Sequence, residues 1–322
     1  MRALWRELSE EGERAHQALA PFLRCTPLIQ ACGLSRLLGR QVFLKLENLQ
    51  VSGSFKYRPA LYNVFCLGEQ REARGLVTAS SGNFAAALAH AARDCGVSAT
   101  VVMRPSASPF KEEKARRLGA RIVHCEDDYR AREEQVERLA AQEGLRRAHP
   151  HGSLLTLAGN TTLAAELLAQ ECPARSVLIP SSGAGLLGAL AASLAPRGWD
   201  VWGVQPRANG SLRASLAAGE PVLRERIKTC ADGLTAACPG ERGLALFAAF
   251  GSGDIQVSEE ALITATRLLF EEEGLIVEPA AAAGLAALLE STSPPGSEDV
   301  VLIVTGGNVE PETWACWVSG QF

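Results

Sequence analysis

Ser176-Val177-Leu178-Ile179-Pro180-Ser181-Ser182-Gly183-Ala184-Gly185-Leu186-Leu187-Gly188-Ala189-Leu190-Ala191-Ala192 reads as strand, small-residue turn and helix. The apolar run 176–180 has the length of a buried strand, and the alanine- and leucine-rich run after the turn is helical in composition. A turn of small residues lets consecutive backbone N–H groups converge, and a helix N-terminus adds partial positive charge. Ser182, Gly183, Ala184, Gly185 and Leu186 are therefore suited to hold a phosphate. The turn has neither the spacing and lysine of a P-loop nor the pattern G-x-G-x-x-G, so a nucleotide is not the obvious ligand. Taken alone, a turn that merely lets strand and helix pack closely explains it equally well.

The same grammar recurs on either side. Gly75-Leu76-Val77-Thr78-Ala79 turns through Ser80-Ser81-Gly82-Asn83 into Phe84-Ala85-Ala86-Ala87-Leu88-Ala89. Two hydroxyls, one amide and the N–H groups of a helix start are the inventory an α-carboxylate needs. An ordinary N-cap needs only one such residue, so the cluster favours a ligand. Val300-Val301-Leu302-Ile303-Val304 closes in Thr305-Gly306-Gly307-Asn308. There a hydroxyl and two glycines permit close approach of a flat heterocycle, although a polar strand-end turn explains that tetrapeptide by itself. Finally, Ser52-Gly53-Ser54-Phe55-Lys56-Tyr57-Arg58-Pro59 puts a lysine between an aromatic residue and a run that turns helical. A lysine in a partly apolar pocket loses its proton near neutral pH and becomes a nucleophile and base. A lone lysine is usually a solvated charge; the three other segments reverse those odds.

Composition excludes more than it selects. A chain of 322 residues with 47% apolar and 21% charged residues buries substantial cores and is not disordered by default. A net charge of −4 gives no global basic field, which argues against a nucleic-acid partner. Nine cysteines, without a Cys-x-x-Cys pair, fit reduced thiols of a cytoplasmic protein better than a disulfide framework or a zinc site. Glu7, Glu10, Glu11 and Glu13 exclude a secretory signal at the N-terminus, which reads as an amphipathic helix. No apolar stretch is long enough to span a membrane.

A pass along the chain predicts strands at 41–46, 76–79, 99–103, 121–124, 177–180, 201–205 and 300–304. It predicts helices at 57–67, 84–94, 109–118, 131–142, 161–170, 186–194, 259–272 and 280–289. This alternation implies an α/β protein with parallel sheets flanked by helices. Arg116-Arg117 and Arg146-Arg147 read as surface charge, and residues 219–254 as a loosely structured loop region.

In this order the four segments resemble the fold-type II pyridoxal-phosphate enzymes, specifically the serine/threonine dehydratase and serine racemase branch. The resemblance also runs through Arg24-Cys25-Thr26-Pro27-Leu28, Lys45-Leu46-Glu47-Asn48-Leu49-Gln50, Ala231-Asp232-Gly233-Leu234 and Val277-Glu278-Pro279. It implies a two-domain, tryptophan synthase β-like fold with pyridoxal 5'-phosphate in the interdomain cleft. Residues 51–150 would form a small substrate-binding domain, and 1–50 with 151–322 a large cofactor-binding one. Lys56 would carry the cofactor and abstract the Cα proton, with Ser81 as the second catalytic residue. Phe55, Asn83, Glu278 and Thr305, together with the 182–186 turn, would bind the cofactor. Asn83 would meet the ring hydroxyl and Thr305 the pyridine nitrogen. Ser80, Ser81, Gly82 and Asn83 would clamp the substrate carboxylate. A neutral hydroxyl at the ring nitrogen makes a milder electron sink than a carboxylate and favours loss of a Cβ group. The implied activity is α,β-elimination from a serine- or threonine-type β-hydroxy amino acid by a cytoplasmic homodimer. Alternatives are a racemase or β-replacement synthase on the same scaffold, or a protein that has lost turnover and acts as a partner or sensor.

Several positions depart from the family pattern. Phe84 stands where dehydratases usually have His, and Gly159-Asn160-Thr161-Thr162 replaces Gly-Gln-Gly-Thr. Ser181 to Gly185 is a substituted tetraglycine loop, and Tyr57 stands where synthases tend to carry Asp. Gln205 replaces a glutamate that helps bind a divalent cation, so no metal site is expected. The chain ends 14 residues after Asn308, from which no C-terminal regulatory domain is expected.

Overall fold

The computed structural model describes residues 1–68, 74–126, 128–224, 227–290 and 299–319. Ten strands are present among them: β1 (Leu28–Gln30), β2 (Val42–Leu46), β3 (Leu76–Ala79), β4 (Ala99–Met103), β5 (Arg121–His124), β6 (Arg146–Arg147), β7 (Ser176–Pro180), β8 (Asp200–Pro206), β9 (Gly253–Val257) and β10 (Val300–Val304). They form two sheets. One has six strands in the order β1-β2-β10-β7-β8-β9, parallel except for the antiparallel edge strand β1. The other has four parallel strands in the order β5-β4-β3-β6.

Burial on both faces is encoded in the apolar runs. Along β10, Val300, Leu302 and Val304 enter one hydrophobic cluster with Val42, Leu44 and the helix Ala283–Leu289. Val301 and Ile303 point the other way, into a cluster with Val177, Ile179 and the helix Gly185–Leu194. The small sheet repeats this. Val101 and Met103 pack against the helix Asn83–Asp94, whereas Val102 packs with Val77 under the helix Tyr129–Glu143. A side-chain period of two with apolar residues at every position is the signature of a covered parallel sheet.

A largely buried ion network joins β2 and the turn after it to two helices. Arg58, in the first turn of the helix Tyr57–Leu67, donates to both oxygens of Glu47 (2.8 and 2.7 Å) and to Glu166 (2.9 Å). Lys45, on β2, reaches Glu166 (2.5 Å), the Thr26 carbonyl (2.7 Å) and Gln170 (2.8 Å). The network ties the residue two after Lys56 to both β2 and the helix Leu154–Ala169. Glu47→Ala leaves the buried Arg58 guanidinium to share Glu166 with Lys45, two cations on one carboxylate, and is expected to cost about 3–5 kcal/mol of stability, readable as a lowered denaturation midpoint.

The predicted strands and helices are present with end shifts of one or two residues, with two exceptions. The helix expected at 161–170 begins at Leu154, where the Ser153 side chain caps it, and Pro279–Ala282 is a 3-10 turn preceding the helix Ala283–Leu289. Two readings are corrected. Residues 219–254 are not a loop throughout, since they contain the helix Glu241–Phe250 and the start of β9. Arg146-Arg147 is not bare surface charge but strand β6, half-buried, with Arg147 paired to Glu133 and Glu137. Strands of two or three residues are set by tertiary pairing rather than by their own composition. The helix Arg2–Leu19 buries Leu8, Gly12, Ala15 and Leu19 on one face, as the amphipathic pattern requires. No helix among the described residues is long and apolar enough to cross a membrane.

Candidate active site

Lys56 is placed by a corner stitched to the end of β10. Phe55 N–H donates to the Thr305 carbonyl (3.0 Å), Gly307 N–H donates to the Gly53 carbonyl (3.0 Å), and Ser54 bridges Gly306. Gly53 has φ +80°, and a Cβ there would meet the Asn308 side chain at 2.5 Å. Glycine is required on both counts. The Lys56 amine lies 4.9 Å from the centre of the Phe55 ring and 5.9 Å from that of Phe84, and donates to the Pro150 carbonyl (2.8 Å). Burial lowers its pKa to about 8, opposed only in part by the charge of Glu278. Roughly a tenth of the amine is then neutral at pH 7, against less than one part in a thousand for an ordinary lysine. Phe84 thus contributes apolar surroundings that a histidine would not.

The phosphate-suited turn sits at the carboxyl end of β7. Ala184 adopts the left-handed conformation (φ 58°), alone in this among the described non-glycine residues. The helix Gly185–Leu194 starts without a side-chain cap. The turn is held from outside, because Ser182 Oγ accepts from Ala236 N–H (2.7 Å) and the Gly183 carbonyl from Gly240 N–H (3.0 Å). Its glycines are dictated by a close neighbour. A Cβ on Gly183 would meet the His151 ring at 2.3 Å, and one on Gly185 the His151 carbonyl at 2.4 Å. His149, Pro150 and His151 therefore form a strap that touches Lys56 at one point and the turn at the next.

The cluster of Ser80, Ser81, Gly82 and Asn83 stands at the carboxyl end of β3. No side-chain hydrogen bond caps the helix Asn83–Asp94; Ser80 Oγ accepts from Gly82 N–H and Ser81 Oγ from Arg104 N–H, both at 3.4 Å, so the cluster is not spent on an ordinary N-cap. Asn83 donates to Glu278 Oε1 (2.6 Å) and accepts from Asn308 (3.0 Å). Glu278 is buried, and its Oε2 has no hydrogen-bond partner. Burial raises its pKa to about 7, with Lys111 opposing. Gly306 lies against it, since a Cβ there would meet Glu278 Oε1 at 2.5 Å and Asn83 Nδ2 at 3.2 Å. Thr305, at the end of β10, is buried beside them.

The structure therefore brings Phe55, Lys56, Asn83, Glu278, Thr305 and the 182–186 turn around one cleft at the carboxyl ends of both sheets, where α/β folds bind ligands. An uncapped left-handed turn, a desolvated amine and an orphaned carboxylate oxygen fit a phosphorylated aldehyde cofactor. Sequence reasoning missed the strap and the lysines of the helix Pro109–Arg117. Lys111 pairs with Asp232 and lies 3.9 Å from Glu278, and Lys114 donates to Asn308. Two histidines flanking a proline were the available signal for the strap, and the three-residue spacing of the two lysines for the other.

Gln205, on β8, is committed to hydrogen bonds. Its Nε2 donates to Ser211 Oγ (3.2 Å) and its Oε1 accepts from Leu212 N–H (3.0 Å). Among the described residues no cluster of His, Cys, Asp and Glu is arranged to hold a metal. Chelator and Mg²⁺ are expected to leave activity and thermal stability alike; a large, saturable gain on adding Mg²⁺ would contradict this.

Residues 19–306 match the family described as pyridoxal-phosphate dependent enzymes. The chain is 31% identical over 309 residues to an L-threo-3-hydroxyaspartate ammonia-lyase of Saccharomyces cerevisiae, covering 95% of each. It superposes on a T.th. threonine deaminase with a TM-score of 0.87 and 37% identity, covering 94% of this chain and 98% of that one. Maize serine racemase gives a TM-score of 0.90 and 29% identity, covering 97% of each.

Proposed function

This chain belongs to the pyridoxal-phosphate dependent enzymes, among ammonia-lyase and dehydratase relatives, and we propose that it catalyses α,β-elimination from an L-amino acid bearing a Cβ hydroxyl. Serine, threonine and 3-hydroxyaspartate share that hydroxyl, the α-amine and the α-carboxylate. The products are a 2-oxo acid and ammonia. The observation that carries this reading is the Lys56 amine, desolvated to a pKa of about 8 and joined through the Pro150–His151 strap to an uncapped anion turn.

When bound, pyridoxal phosphate supplies an electron sink for charge developing at the substrate Cα. Lys56 holds the cofactor at Nζ and also takes the Cα proton. The backbone of Ser182, Gly183, Ala184, Gly185 and Leu186 holds the phosphate. Asn83 would serve the ring hydroxyl and Thr305 the ring nitrogen, and Phe55 and Glu278 would complete the walls. Ser80, Ser81, Gly82 and Asn83 clamp the α-carboxylate. The four-stranded sheet supports assigning 51–150 as a small substrate domain, with 1–50 and 151–322 as a large cofactor domain. Under the same reading the enzyme is a cytoplasmic homodimer.

Racemisation is the second reading, favoured by the likeness to serine racemase. It needs a proton donor opposite Lys56, a task for Ser81. Ser81 Oγ accepts a long bond (3.4 Å) from Arg104 N–H, and no acid or base hydrogen-bonds to it among the described residues. A serine left so is a poor acid, which ranks elimination first. Incubation with L-serine, L-threonine and 3-hydroxyaspartate in deuterated water, with chiral analysis of the remaining substrate, tests the ranking. Keto acid is expected to form faster than the opposite enantiomer; the reverse order would make the protein a racemase.

A further inference from the structure

The segment that holds the phosphate turn from outside is itself pinned by a residue with no role above. Asn209 is buried in a tight turn after β8, where its N–H donates to the Pro206 carbonyl (3.0 Å). Its Oδ1 accepts from Ser211 N–H (3.1 Å) at the start of the helix Ser211–Ala218. Its Nδ2 donates to the Leu234 carbonyl (2.7 Å) and, over a longer distance, to that of Ala236 (3.4 Å). Gln205 closes the other side of the turn through Ser211 Oγ and Leu212 N–H. Backbone carbonyls beside a carboxylate make a cation site. Beside a neutral amide that donates to them, they make a hydrogen-bonded pin.

The pinned segment reaches the cofactor site at several points. Ala236 carries Asn209 on its carbonyl and Ser182 Oγ on its N–H (2.7 Å). Gly240 N–H donates to the Gly183 carbonyl (3.0 Å). Gly240 also backs the strap, since a Cβ there would meet Gly152 Cα at 2.8 Å and the His151 ring at 3.5 Å. Elsewhere the segment is held by Cys230 N–H on Glu259 (2.8 Å), by the pair Asp232–Lys111, and by Arg224 N–H on the Ala237 carbonyl (2.7 Å). The turn has no such support of its own. It enters the helix Gly185–Leu194 without a side-chain cap, through a left-handed alanine. A non-glycine residue keeps that conformation only where its surroundings over-determine it.

We propose that Asn209 is a positioning residue for the cofactor phosphate, acting through Ala236 and Gly240 on Ser182 and Gly183 of the 182–186 turn. This rests on placing the phosphate in that turn and deepens that reading. A turn that binds through backbone N–H groups gains affinity from having them aimed beforehand. Without the Asn209 amide the Leu234 carbonyl loses its donor in a buried place, which favours movement of the segment toward another partner. The bonds to Ser182 and Gly183 then loosen, and the phosphate must order the turn that it binds.

Titration of the full-length apoenzyme with pyridoxal phosphate and with pyridoxal tests this, because pyridoxal keeps the aldehyde and lacks the phosphate. Asn209→Ala is expected to weaken pyridoxal phosphate on the order of tenfold and pyridoxal less than about twofold. Asn209→Asp keeps the acceptor for Ser211 N–H and loses the donor, so it should weaken pyridoxal phosphate at least as much. It also keeps the test open if the alanine variant folds poorly. Adding Ser182→Ala to Asn209→Ala should cost little more than Asn209→Ala alone, since both changes break one path. Wild-type affinity in both Asn209 variants overturns the proposal. So does equal weakening of the two aldehydes, which would make Asn209 a general support of the fold, and so do losses that simply multiply in the double variant. Amide exchange of the cofactor-free protein reads the pin directly, and Ala236 and Gly240 N–H are expected to exchange faster in Asn209→Ala; unchanged exchange overturns it. If the wild-type chain binds neither aldehyde, the cofactor reading itself fails and the positioning role with it. If it binds both and only the Asn209 variants behave as wild type, the cofactor reading stands and the positioning role alone falls.

Discussion

Lys56→Ala is expected to abolish turnover, a fall on the order of 10⁴-fold or more in kcat, because one amine serves as both anchor and base. The effect is chemical rather than structural. The lysine precedes the helix Tyr57–Leu67, and that helix is fixed by Arg58 in the ion network rather than by Lys56. The variant should therefore unfold at nearly the wild-type denaturant midpoint while giving no keto acid. A variant that keeps more than a few per cent of wild-type turnover would assign the proton transfer to another group, with Lys111 and Lys114 the nearby candidates.

Gly185→Asp is expected to weaken cofactor binding about a thousandfold. Two penalties act together. A Cβ at this position would meet the His151 carbonyl at 2.4 Å, so the strap must move. A carboxylate about 4 Å from a phosphate also adds repulsion of about 4 kcal/mol at an intermediate dielectric. Ser182→Ala should cost only about 1 kcal/mol, the worth of one hydrogen bond, because its hydroxyl is already engaged by Ala236 N–H. Titration of the apoenzyme with pyridoxal phosphate reads both. Unchanged affinity in Gly185→Asp would place the phosphate elsewhere.

The strands and the turns at their ends were legible because each apolar run is bounded by small residues. Val300 to Val304 could only be a covered strand, and the turn leaving the carboxyl end of a covered parallel strand lies at the cleft. The edges were not legible. β6 consists of two arginines and is a strand only because Gly75 and Val77 offer carbonyls to it and to the residue after it, and β9 has two buried residues in five. The site was legible where one segment carries a whole function, as at Ser52 to Lys56 or Ser182 to Leu186. It was not legible where function arises from convergence. Nothing adjacent to Pro150 in sequence shows that its carbonyl meets Lys56, 94 positions away.

Borohydride reduction of the holoenzyme followed by peptide mass mapping tests the central claim most directly. The expected result is a pyridoxyl group on Lys56 and on no other lysine. A label on Lys111 or Lys114, or no cofactor retained after purification with excess pyridoxal phosphate, would contradict it.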